Sequence, residues 1–106
     1  PDVLIDLLND DGSWLVRLGA AKGLEMIGDK AVVIPPLLQA LKNDASQEVR
    51  LVTFLILRRI TGDQLVAERI YKGNKIMSAH IEAAEKWWAE NEDRLLEEQK
   101  QRQIGD

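Results

Sequence analysis

The chain has no cysteine and only one histidine, His80, in 106 residues. Without cysteine there is no disulfide framework, no thiolate nucleophile and no sulfur-ligated metal site. A lone histidine with Glu82 and Glu85 nearby does not make metal-ligand geometry, and no Ser/His/Asp set can be placed around it. Its position at the start of the last predicted helix, off the apolar arc, reads as a solvated surface histidine. No glycine-rich loop is built to cradle phosphate. Acid pairs such as Asp10-Asp11 fall in turns, and no second carboxylate is set to raise a neighbour's pKa for acid–base work. The chain therefore nominates no catalytic, cofactor-binding or metal-ligating residue. Long apolar runs are missing too: Ala31 to Ile34 and Leu51 to Leu57 (interrupted by Thr53) are far too short to span a bilayer. No basic-then-apolar leader opens the sequence. The expectation is a chain without membrane association, cytoplasmic by preference, and, since it starts at Pro1 rather than Met, processed or cut from something longer.

What the chain does have is an internal repeat. Leu4-Ile5-Asp6-Leu7-Leu8, then Asp11 and Val16-Arg17, then Leu24 and Ile27, match Leu37-Leu38-Gln39-Ala40-Leu41, Asp44, Val49-Arg50, Leu57 and Ile60 at an offset of about thirty-three residues. A unit of this length cannot bury its own apolar face and must stack on a neighbour. Each copy reads as two helices. Val3 to Asn9 is short and apolar on one face. Asp10-Asp11-Gly12-Ser13 forms a turn with Ser13 as N-cap, and a second helix runs from Trp14 to about Ile27, stopping at Gly28. Its predicted packed arc is Val16, Ala20, Gly23, Leu24 and Ile27, with Trp14, Leu18, Ala21, Lys22 and Glu25 opposite.

The third helix is expected to start near Val32 or Val33, because Pro35 and Pro36 fit only a first turn. It ends near Asn43. Ser46 caps a fourth helix from Gln47 to about Ile60, stopped by Thr61-Gly62. Its packed arc is Val49, Thr53, Ile56, Leu57 and Ile60; the opposite arc of Leu51, Phe54 and Leu55, beside Arg58, is too apolar to face water comfortably. After an irregular stretch, in which Gln64 to Tyr71 reads as two helical turns, Ser78 is expected to cap a long last helix. Ile81, Ala84, Trp88 and Leu95 share its apolar arc, with Trp87 flanking. Beyond Leu96 the pattern dissolves and fraying is expected.

The pattern of an apolar helix, then Asp, then Val-Arg opening a second helix, twice over, resembles the HEAT-like repeat family in the short bacterial form also found in phycobilisome lyases. Arg58-Arg59-Ile60-Thr61-Gly62 followed later by Trp87-Trp88 is similar to the terminal cap of bacterial HEAT-like proteins, with a longer spacer. The resemblance implies an all-α fold, an α-α superhelix in the form of a short HEAT-like α-solenoid. Residues 1–62 form two repeats (about 3–28 and 32–61), 63–78 connect, and 79–106 form a C-terminal capping helix with a frayed charged tail. It also implies that the second helices line the concave surface and that Asp11, Arg17, Asp44 and Arg50 form a structural ladder between repeats.

Trp87 and Trp88 read as cap residues rather than a binding platform, since Trp88 is in phase with Ile81 and Leu95. The final helix is expected to cover Leu51, Phe54 and Leu55. The expected work is non-catalytic: an interaction or scaffold module holding a protein or peptide on the second helices, through Trp14, Leu18, Lys22, Glu25, Gln47, Leu51 and Arg58. Two alternatives stand beside it: a bilin-lyase-like accessory enzyme or chaperone, and nucleic-acid binding through the basic Arg58–Lys75 region. The net charge of −4 disfavours the latter. Solenoid ends need caps, and only the C-terminal side shows one, so the uncapped N-terminal end also suits a homodimer.

Overall fold

The computed structural model describes residues 2–10, 12–62, 65 and 75–104. Among them are five helices and no strand: α1 (Asp2–Asp10), α2 (Trp14–Ile27), α3 (Lys30–Asn43), α4 (Gln47–Ile60) and α5 (Ser78–Ile104). This is an all-α solenoid. Helices α1 and α2 pack as one hairpin, α3 and α4 as the next, and α2 lies beside α4.

The two second helices start and stop where turn chemistry dictates. Ser46 caps α4, its hydroxyl accepting from the Val49 amide at 3.3 Å. Ser13 holds the same extended conformation before α2. Gly28 ends α2 at φ 81°, and Gly62 follows α4 at φ 65°. Left-handed backbone of this kind favours glycine.

Helix α3 begins at Lys30, with Asp29 at the N-cap position, earlier than the prolines suggested. Pro35 and Pro36 lie beyond the first turn, where each removes an intrahelical amide donor. The extra turn is rewarded by burial of Ala31, Val33 and Ile34. Pro36, Leu37, Ala40 and Leu41 are buried as well. Helix α3 is apolar nearly all round because α1, α4 and α5 all pack against it.

Helix α5 runs antiparallel to α3. Near one end Lys42 pairs with Glu85 at 3.3 Å; at the other, Asp29 accepts from Gln99 at 3.2 Å and Arg102 at 3.3 Å. Where the sequence pattern predicted fraying beyond Leu96, the helix continues to Ile104. Arg94–Glu98 and Gln101–Glu97 links brace successive turns there. Its buried side chains are His80, Ala84, Trp87 and Leu95. Trp87 thus takes the inner position expected of Trp88, which is half-buried.

His80 is a correction to the sequence reading, for it is fully buried. Its Nδ1 accepts the Met77 amide at 2.9 Å, and its ring meets Phe54 edge-on at 5.0 Å. The helix starts at Ser78, so its cap position falls on Met77, whose carbonyl accepts from His80. The imidazole reaches back as the acid of a capping box does. Of the predicted trio on α4, Phe54 is buried while Leu51 and Leu55 stay half-buried, since α5 lies chiefly along α3. The predicted turns between Gln64 and Tyr71 lie outside the described residues, save Leu65.

Candidate interaction surface

Asp44 is the joint between the repeats. Arg17 on α2 donates twice to it, Nε to Oδ2 at 2.9 Å and Nη2 to Oδ1 at 3.1 Å. The same carboxylate accepts the Ser46 amide at 2.8 Å, and the Asp44 carbonyl accepts from Arg50. One residue therefore ends α3, orders the turn before α4 and grips the previous repeat through a two-pronged charged pair. Three of the four ladder residues meet in this way; Asp11 lies outside the described residues.

A second clamp ties α2 to α4 near their C-terminal ends. Arg59 donates to both oxygens of Glu25, Nε at 2.7 Å and Nη2 at 2.9 Å. The Arg59 hydrogen bond holds the Glu25 carboxyl below the ordinary glutamate range, against the opposing effect of burial. The same hydrogen bond pushes the Arg59 guanidinium up.

These two clamps fix α2 and α4 side by side. Of the residues expected to make the contacts, Trp14, Lys22 and Arg58 are exposed, whereas Leu18, Glu25, Gln47 and Leu51 are half-buried. Glu25 is engaged by Arg59, and Leu18 packs against the core. Ala21, assigned to the outward arc by the helical wheel, is fully buried, while Val16 and Ile27, assigned to the packed arc, are substantially exposed. The wheel is out of phase by roughly a quarter turn. The predicted arc was centred on Val16, Gly23 and Ile27, whereas the buried residues are Ala20, Ala21 and Leu24.

The corrected phase adds two residues that the sequence reading missed. Leu15 is 61% exposed and Met26 is 87% exposed. With Gly19 and Lys22 they form one stripe at helical spacing. Their counterparts in the second repeat, Glu48 and Arg59, are charged; that contrast between aligned copies was the available signal.

Among the described residues, no group of three or more acidic or histidine side chains is placed to hold a metal ion. No helix there is long and apolar enough to cross a membrane. A family model described as HEAT repeats matches residues 1–68. No curated protein and no solved structure matches the chain.

Proposed function

The chain belongs to the HEAT-repeat family, and on that footing we propose that it is a non-catalytic interaction module holding a protein or peptide on the face shared by α2 and α4. The observation that carries this reading is the exposed apolar stripe of Leu15 and Met26 around Lys22, continued by Trp14. It lies on a scaffold whose two helices are locked together by paired charges. Rigid presentation lowers the ordering cost of binding. Trp14, Leu18, Lys22, Leu51 and Arg58 supply the contacts, with Gln47 at the edge. Glu25 acts by holding α4 in register through Arg59. Helix α5 serves as the terminal cap, a role supported by the buried Trp87 and by its alignment along α3.

Nucleic-acid binding has less support. Within the basic stretch Arg59 is engaged by Glu25, and the chain as a whole carries a net charge of −4.

Affinity capture from cell extract with the wild-type chain, a Leu15→Glu/Met26→Glu variant and a Glu90→Lys/Asp93→Lys control tests the reading. A protein retained by the wild type and the control and lost from the α2 variant is expected. Equal retention by all three would remove the α2/α4 face from consideration.

A further inference from the structure

The Glu25–Arg59 clamp leaves the charge around it unbalanced. Its two members neutralise each other. The neighbouring anion, Asp29, is taken from the other side by Gln99 and Arg102 of α5. Lys22, one turn before Glu25 on α2, Lys30 at the start of α3, and Arg58 next to Arg59 on α4 are all exposed. None of them forms an ion pair among the described residues. This end of the α2/α4 face therefore carries uncompensated positive charge in a chain whose net charge is −4. The acidic excess lies elsewhere: α1 holds Asp2, Asp6 and Asp10 with no basic residue, and Glu90, Asp93 and Glu97 are exposed on α5.

Helix stability accounts for only part of this pattern. Arg58 and Arg59 suit the last turn of α4, where the free carbonyls carry partial negative charge. Lys30 stands in the first turn of α3, where the same effect opposes a cation, and no acidic residue accompanies it there. Lys30 instead lines, with Arg59, a hollow of about 250 Å³ whose other walls are Glu25, Gly28, Val33 and Ile60. The hollow lies at the seam between the two hairpins and is built from α2, α3 and α4.

We propose that the partner of this face is an acidic amphipathic segment of another protein. It sets an apolar side chain against Val33 and Ile60 and its carboxylates on Lys30, Lys22 and Arg58. The inference rests on the α2/α4 reading above and adds the chemistry of the occupant. A nucleic-acid strand fits less well, because the cations stand beside apolar walls and the Glu25 carboxylate, which suit mixed apolar and acidic side chains rather than a run of phosphates.

Fluorescence anisotropy on the full chain, with a labelled 18-residue Leu/Glu amphipathic peptide and its Leu/Lys counterpart, tests the proposal. Global charge alone would make a chain of net charge −4 prefer the Leu/Lys peptide. The opposite is expected: the Leu/Glu peptide binds at least about tenfold more tightly, with affinity falling as salt rises. Lys22→Glu/Lys30→Glu is expected to weaken it by about tenfold or more. Lys86→Glu/Lys100→Glu, the same change of net charge on exposed α5 positions, is expected to leave it within about twofold. Circular dichroism of both variants checks that the helices persist. Equal binding of the two peptides, or equal losses in the two variants, would overturn the proposal. So would a 20-nucleotide single strand that binds more tightly than the Leu/Glu peptide and displaces it, which would assign the cations to phosphate. If the two peptides bind alike and Leu15→Glu/Met26→Glu removes both, the acidic partner is excluded while the α2/α4 reading stands.

Discussion

Thr53 is the residue where side-chain chemistry and environment disagree most. It is fully buried on α4, and its hydroxyl finds no partner among the described residues. An unsatisfied buried hydroxyl costs on the order of 1–3 kcal/mol. Thr53→Val keeps the shape and removes the polar atom, so urea unfolding should show a chain at least as stable, by up to about 1–2 kcal/mol. His80 is the opposite case. Its ring fills space against Phe54 and its Nδ1 satisfies the Met77 amide. His80→Ala should lose the packing and expose the first turn of α5, costing about 2–4 kcal/mol in urea unfolding and speeding hydrogen exchange at the Met77 amide. The sequence reading left His80 off the apolar arc because it centred that arc on Trp88; with Trp87 inward, His80 falls in phase with Ala84 and Leu95. Its burial depends on Phe54, which comes from a distant part of the chain.

The Glu25–Arg59 pair adds a residue-scale pH dependence. Its folded carboxyl releases its proton more readily than the unfolded one. Stability from the pair is therefore complete above the ordinary glutamate range, about pH 5, and disappears as pH falls through the lowered folded value. Both side chains are partly exposed, so the effect is small, about 0.5–1 kcal/mol after screening. Glu25→Gln should lower the thermal midpoint at neutral pH and converge with wild type in acid. A constant difference down to strongly acidic pH would show that the pair contributes through packing rather than charge.

At the scale of elements, turn chemistry was legible and helix phase was not. Ser13, Ser46, Gly28 and Thr61-Gly62 bound α2 and α4 at the expected residues because caps and left-handed glycines act locally. The start of α3 was misplaced because burial of Ala31 and Ile34 against neighbouring helices outweighs two missing amide bonds, and that balance is tertiary. The phase of α2 was misread because alanine and glycine mark a close approach without announcing its direction. Gly23 shows how close it is: a Cβ there would sit 3.1 Å from Leu4 Cδ1 and Cδ2. Gly23→Ala sets a gain in helix propensity of about 1 kcal/mol against a shift of the Leu4 side-chain end. Thermal melts should show near neutrality for Ala and clear loss for Gly23→Leu, whose extra volume has to displace α1.

For the whole molecule, the repeat was legible: the copies that align at an offset of about thirty-three residues become the two hairpins, α1 with α2 and α3 with α4. What the sequence could not supply was the phase of α2, which left Leu15 and Met26 out of the candidate surface. Helix α5 spans α3 from Lys42 to Asp29, so the second hairpin and α5 share one core through Leu37, Trp87 and Leu95. In a short solenoid, stability is a sum of repeat terms and neighbour interfaces, and few interfaces means that losing one is felt by all. Trp87→Ala opens the α5 contact and should cost about 3–5 kcal/mol. If the molecule is one cooperative unit, circular dichroism and intrinsic fluorescence of this variant will report the same shifted urea midpoint. If α5 is instead a separable flap, fluorescence will shift first while helicity from α1 to α4 persists to the wild-type midpoint.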